Sequence, residues 1–144
     1  MTSTEPTKDD LVKKAKRRVS PRGSKQKGDK YERELAAYLS GELGLDVSRA
    51  ILSGGGRTFC GAGGSDLTGL PGFWPEAKRT ESFAAHAAMA QAERGKTASR
   101  CPDTPVVFSR RNNMTTEDSL VVMRAKDWIK LYRAWAQGRG YPVK

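Results

Sequence analysis

Residues 65–79 read SDLTGLPGFWPEAKR and carry the strongest structural signal in the chain. It predicts two short strands joined by a turn at Pro71-Gly72, with Asp66 in the first strand and Glu76 in the second. Because side chains alternate along a strand, Glu76 and Lys78 project from the same face, roughly 6–7 Å apart. Two convergent carboxylates beside an ammonium group suit a hard divalent cation that also meets a phosphate.

The rest of the chain predicts helices and further strands in a regular order. A helix over about 29–43 follows from apolar residues at every fourth position: Tyr31, Leu35, Leu39 and Leu43. The other predicted elements are strands over 47–52, 65–70, 73–79, 104–109 and 120–125, and helices over 80–94 and 126–137. The order α-β-β-β-α-β-β-α indicates an α/β fold with a central mixed β-sheet flanked by helices.

Two local features refine this arrangement. Pro75 has no amide hydrogen, so it is predicted to face away from a neighbouring strand or to lie at a bulge. The last helix carries an apolar stripe, which predicts packing against the core rather than a platform for stacked bases. The residues of this stripe are Trp128, Leu131, Tyr132 and Trp135.

Glu32 and the glycine-rich segment that follows the first predicted strand each allow two interpretations. Glu32 leans towards the buried side of the first helix, where an acid needs a metal ion or a basic neighbour. Alternatively, it stays hydrated and interacts favourably with the helix dipole. The segment 53–64 either closes over a ligand, with Arg57 available for phosphate, or is a mobile connection.

Charge separates the chain into two regions. The formal net charge is +10 over 144 residues, and residues 1–30 hold ten Lys/Arg against four Asp/Glu. Residues 1–27 are predicted to be a disordered basic arm and residues 28–144 the folded domain. A basic arm before a moderately basic domain is typical of a protein that binds a polyanion such as nucleic acid. The densest positive cluster comprises Lys13, Lys14, Lys16, Arg17 and Arg18.

Other signals argue against several functional classes. No apolar run approaches the roughly 18 residues that span a bilayer, and no signal peptide is visible, so a soluble cytoplasmic protein without a membrane partner is predicted. Cys60 and Cys101 form no CxxC pair and are predicted to be reduced thiols without a function. His86 is the only histidine. This count disfavours histidine-based nuclease chemistry and an ordinary zinc site.

The ordered motifs resemble the PD-(D/E)xK nuclease superfamily, and within it the archaeal-type Holliday-junction resolvases and their phage relatives. The resemblance covers about residues 27–130 and implies a restriction-endonuclease-like core. The motifs are Lys27-Gly28-x-x-x-Glu32-Arg33-Glu34-Leu35, Arg49, Ser53-Gly54-Gly55, Gly64-Ser65-Asp66-Leu67, Glu76-Ala77-Lys78-Arg79 and Pro105-Val106-Val107.

The resemblance implies a role for each matching position. Asp66, Glu76, the backbone carbonyl of Ala77 and the helix acid Glu32 would hold Mg²⁺, for which Mn²⁺ can substitute. Lys78 would orient the attacking water, and Gln91 matches a glutamine of some branches. DNA would be bound by Lys13, Lys14, Lys16, Arg17, Arg18, Lys27, Arg49, Ser53, Arg57 and Arg79, with Arg110 and Arg111 as further candidates.

The resulting expectation is a metal-dependent DNA endonuclease, a Holliday-junction resolvase acting as a homodimer in the cytoplasm and encoded by a phage or prophage. One alternative is another structure-specific or nicking phage-type nuclease. The other is a non-catalytic nucleic-acid-binding module, in which the acids only pair with nearby arginines.

Overall fold

A computed structural model describes residues 20–50 and 64–144 of the chain. Their helices are α1 (Pro21–Leu43), α2 (Ala85–Ala98) and α3 (Ala125–Gly138). Their strands are β1 (Ser48–Arg49), β2 (Leu67–Thr68), β3 (Phe73–Arg79), β4 (Thr104–Arg110) and β5 (Leu120–Val122), with a 3-10 turn at Thr116–Asp118. The predicted order of helices and strands is confirmed in these residues.

The strands form two sheets instead of the single central sheet that was predicted. Strands β3, β4 and β5 make a mixed sheet, in which β3 and β4 are parallel and β4 and β5 antiparallel. Strands β1 and β2 form a separate antiparallel pair. The predicted hairpin between 65–70 and 73–79 is therefore wrong, although its turn exists, with Phe73 N donating to Leu70 O at 3.2 Å. A mixed sheet flanked by helices, and hence the α/β class, is confirmed.

The core lies on both faces of the three-stranded sheet. Alternation along β4 sends Val106 and Phe108 into a cluster with α1, and Val107 into a second cluster with α2. On β3, Trp74 joins the α2 side, and Glu76 and Lys78 share its face by the same alternation. The fold thus directs both residues of the Glu76-Ala77-Lys78 motif towards α2.

Helix α1 begins at Pro21 rather than near Asp29, because its start is fixed by polar capping and not by apolar residues. The Ser20 hydroxyl accepts from Gly23 N at 3.2 Å, and Pro21 supplies a first-turn backbone angle that suits a helix. The helix ends at Gly44 in the left-handed conformation, as predicted. Residues 21–27 of the predicted arm are consequently helical, whereas Lys13, Lys14, Lys16, Arg17 and Arg18 lie outside the described residues.

Pro75 lies on the outer edge of the mixed sheet, as one of its two predicted placements requires. Asp66 N donates to Pro75 O at 3.1 Å from the side opposite β4. Since the N–H and C=O of one strand residue point to the same edge, the missing amide hydrogen of Pro75 removes no bond to β4.

Helix α2 differs from its prediction at both ends. It begins at Ala85, because the Thr80 hydroxyl accepts from Ser82 N at 3.3 Å in a local turn ahead of the helix. It also continues through Gly95 to Ala98. A glycine alone therefore does not terminate this helix.

Helix α3 matches its predicted position, but the prediction that its apolar stripe packs against the core is wrong. Trp128, Leu131, Tyr132 and Trp135 are all exposed, and the buried residues of the helix are Asp127 and Ala136. The stripe is amphipathic in sequence, but it faces away from the core clusters of the described residues.

The prediction of reduced cysteines is wrong for Cys101, which is buried and disulfide-bonded. Cysteine spacing along the chain does not report which cysteines meet in the fold, so this pairing left no signal in the sequence. Cys60 is the only other cysteine and lies outside the described residues.

Candidate active site

Glu76 occupies the centre of the candidate site. Its side chain is only 7% exposed, and its Oε1 accepts a 3.1 Å hydrogen bond from the indole Nε1 of Trp74. Trp74 lies two residues earlier on β3, so the two side chains share one face of the strand. The indole donor fixes one carboxylate oxygen of Glu76 from the core side.

Asp66 is tied to the same strand by its backbone and by its side chain. Asp66 N donates to Pro75 O at 3.1 Å, and Asp66 Oδ2 accepts from Ala77 N at 2.8 Å. The carboxylate thus takes the place of a neighbouring strand for the Ala77 amide. The carbonyl of Ala77 points to the same edge as its N–H, so this carbonyl and the Asp66 carboxylate share one side of β3.

The Asp66 and Glu76 carboxylates meet each other in the fold. Burial raises the pKa of Glu76, and the charge and hydrogen bond of Asp66 raise it further, to about 8. The Trp74 hydrogen bond and the charge of Lys78 act in the opposite direction. A buried acid beside a second carboxylate is a natural position for a cation.

Lys78 and Gln91, which were both named through the resemblance to the nuclease superfamily, are hydrogen-bonded to each other. Lys78 Nζ donates to Gln91 Oε1 at 2.9 Å, joining β3 to α2 on the face that carries Glu76. Because the amide group of Gln91 is neutral, it orients the ammonium group without cancelling its charge.

Glu32 lies close enough to influence the pair, but it has a basic partner of its own. Arg49 Nε binds Glu32 Oε2 at 2.5 Å, and Arg49 Nη2 binds Asp29 Oδ1 at 2.6 Å. Burial raises the pKa of Glu32, while the Arg49 hydrogen bond lowers it and the charge of Asp66 raises it. Of the interpretations considered for Glu32, the structure places it beside a basic neighbour.

The oxygen ligands available at the site fit the implied Mg²⁺ ion. Among residues 20–50 and 64–144, no group of three or more His, Cys, Asp or Glu side chains is arranged to hold a metal. Two carboxylates and one carbonyl fit Mg²⁺, which keeps several waters and needs only one or two carboxylates. Asp66, Glu76 and the Ala77 carbonyl supply that set, whereas Glu32 is engaged by Arg49.

The residues predicted to contact DNA differ in their exposure and in their partners. Arg110 is 7% exposed, pairs with Glu34 at 2.6 Å and lies 4.7 Å from the Tyr31 ring centroid, so its proposed phosphate contact was wrong. Arg49 is engaged by two carboxylates of α1, and Arg79 Nε donates to Asn112 Oδ1 at 3.1 Å. Lys27 lies on α1 and Arg111 is exposed after β4, whereas Ser53 and Arg57 lie outside the described residues.

Sequence reasoning missed two contributors to the site. Trp74 could have been found, because it lies two residues before Glu76 and must share its face. The pairing of Arg49 with Glu32 and Asp29 joins β1 to α1. No spacing rule reports such a long-range contact.

Comparisons with family models, with curated proteins and with solved structures find no match for this chain. The helices within the described residues are also too short or too polar to cross a bilayer. Functional inference for this protein therefore depends on its own residues and geometry.

Proposed function

We propose that this protein is a metal-dependent DNA endonuclease with a restriction-endonuclease-like core, most specifically a Holliday-junction resolvase. The observation that carries the proposal is the meeting of the half-buried Asp66 carboxylate with the buried Glu76 carboxyl beside Lys78. A purely structural ion pair would join opposite charges, whereas here ionisation of both carboxyl groups would place two like charges at one edge of β3. Such an arrangement is costly unless a cation neutralises it.

Each side chain has a defined task in hydrolysis of a phosphodiester. Asp66, Glu76 and the Ala77 carbonyl would hold Mg²⁺, and Mn²⁺ would substitute. When bound, the ion lowers the pKa of a water and neutralises negative charge that develops on the phosphate. Lys78 places a positive charge beside the nucleophile, and Gln91 restricts where its ammonium group lies. Glu32 adds negative charge near Asp66 and is held in place by Arg49.

Charge and symmetry support the choice of substrate. The +10 net charge suits a polyanion, and the described residues suggest no element that reads bases. A branched DNA is therefore favoured by shape, and a homodimer would present two sites to the opposing strands of a four-way junction. If roughly six phosphates are neutralised, the log–log dependence of binding on salt has a slope near −5. A cytoplasmic setting and a phage origin stay predictions.

The test measures cutting of a labelled four-way junction during a Mg²⁺ titration. Asp66→Asn and Glu76→Gln should abolish cutting and retain junction binding, while Lys78→Met should slow cutting by about 100- to 1000-fold. Asp46→Asn is the matched control, because Asp46 is an exposed acid just before β1 and should leave cutting unchanged.

Unchanged cutting by both acid variants would refute the proposed site. Binding without cutting by the wild-type protein at any Mg²⁺ or Mn²⁺ concentration would favour the non-catalytic binding module. Equal cutting of flaps, nicked duplexes and junctions would favour a broader structure-specific nuclease.

A further inference from the structure

The C-terminal helix presents an exposed row of aromatic side chains. We call the surface formed by Trp128, Leu131, Tyr132, Trp135 and Tyr141 the aromatic face. Trp128 and Trp135 remain 53% and 50% exposed. Consecutive rings nevertheless touch, with centroids 5.2, 5.7 and 5.6 Å apart along the row from Trp128 to Tyr141. The face is therefore continuous and already ordered.

Helix α3 gains little support from its own domain. Among the described residues, no other helix or strand packs extensively along it, and its N-terminal end is held by the ion pair of Arg124 with Glu93 at 2.5 Å. A helix of 14 residues is marginal in water without tertiary packing. An unpacked helix that displays large aromatic residues is expected to be covered by a partner.

The charges of α3 indicate what kind of partner fits. Lys126, Lys130 and Arg133 project from the side of the helix opposite Trp128 and Trp135, by the helical repeat of 3.6 residues. A nucleic-acid platform needs cations beside its aromatic rings. Among residues 20–50 and 64–144, Arg139 alone stacks on the row, 5.2 Å from the Trp135 ring centroid. An apolar protein surface therefore fits the aromatic face better than a polyanion.

The available area matches a symmetric interface between two copies of the chain. With about half of each large side chain exposed, the aromatic face offers roughly 550 Å² per chain. Two copies would bury about 1,100 Å², just above the roughly 1,000 Å² that a specific protein interface requires. A two-fold arrangement lets one face cover its own duplicate while the lysines stay in water. Residues 1–19 carry few large apolar side chains that could cover the aromatic face instead.

We propose that the aromatic face of α3 is a homodimer interface, in which the α3 helices of two chains pack against each other. The proposal names a surface for the homodimer suggested above, but it uses no residue of the carboxylate site. It can therefore be tested without DNA or metal, and it can fail while the proposed nuclease activity stands.

The experiment is analytical ultracentrifugation of the full-length protein over about 1–100 µM. The wild-type protein should sediment as a dimer of twice 15.8 kDa. Trp128→Glu and Trp135→Glu should each raise the dissociation constant at least about 30-fold, as expected for a central aromatic anchor. Gln137→Glu is the matched control, because it puts the same carboxylate on the opposite side of α3 and should leave the dimer intact.

Thermal melts followed by circular dichroism establish that each variant is folded, which is expected because the replaced side chains are exposed. Tyr38→Glu on α1 provides a second control, as an exposed aromatic residue on another helix. A monomeric wild-type protein throughout the range, or dimeric glutamate variants, would overturn the proposal. Loss of oligonucleotide binding by Trp135→Glu without a change in mass would also overturn it, by assigning the face to nucleic acid.

Discussion

Glu76 should make the metal-free protein less stable as the pH rises. The pKa of its buried carboxyl is about 8 in the folded chain, against an ordinary value of 4.5. Between these values the folded protein holds a proton that the unfolded chain releases. Stability from this group is therefore fully present below about pH 4.5 and is lost progressively up to about pH 8.

The size of the effect follows from the same two values. Each pH unit within this window removes about 1.4 kcal/mol from the free energy of unfolding. From about pH 5.5 to about pH 7.5 the loss is therefore roughly 2.5 kcal/mol, a large fraction of a typical domain's stability. Glu76→Gln keeps an acceptor for the Trp74 indole but cannot ionise, so this loss should disappear in the variant.

Urea denaturation in the presence of a chelator measures the difference between the two proteins across the pH range. The wild-type and Glu76→Gln stability curves should converge at low pH and diverge as the pH rises, with the variant more stable near neutrality. Added Mg²⁺ should recover stability in the wild-type protein and not in the variant, because the ion favours the ionised pair. Parallel curves for the two proteins would refute the buried, proton-sharing site.

Three further substitutions test the surroundings of the site. Trp74→Phe removes the hydrogen bond to Glu76 and should raise the Mg²⁺ concentration for half-maximal cutting about 10-fold. An unchanged Mg²⁺ concentration would exclude a role of Trp74 in positioning Glu76. Arg110→Met breaks the ion pair with Glu34 and should cost about 2 kcal/mol in urea denaturation, and a loss below about 0.5 kcal/mol would contradict this. Gly69→Ala should lower the free energy of unfolding by more than about 3 kcal/mol, because φ is +90° and the Asp46 carbonyl oxygen lies 2.0 Å from the new Cβ. Wild-type stability of this variant would show that the backbone relaxes.

Short-range patterns predicted most of the elements. Strand β3 was predicted with its observed bounds, because β-formers after a Pro-Gly turn are a local signal. The shared face of Glu76 and Lys78 followed from strand alternation alone. Gln91 was named only through the resemblance to the nuclease superfamily, and its hydrogen bond with Lys78 was not predicted.

Contacts between distant segments escaped prediction. Strand β2 pairs with β1, which lies about 20 residues earlier in the chain. The sequence of residues 65–70 does not indicate which strand will be its partner. The early start of α1 was signalled by Ser20 and Pro21, but a search for apolar periodicity begins only at Tyr31. The apolar stripe of α3 predicted packing against the core, and this was wrong, because amphipathic spacing in a single chain does not state what covers a helix.

Pro75 also limits which molecules can attach to the outer edge of β3. β3 is an outer strand of its sheet, and such strands invite edge-to-edge pairing between chains. Residue 75 offers no donor, its carbonyl is taken by Asp66 N, and the Ala77 amide is taken by the Asp66 side chain. A strand from another chain therefore cannot form backbone hydrogen bonds with β3 at residue 75 or with the Ala77 amide. The same features that hold Asp66 against β3 thus protect this edge from amyloid-like growth.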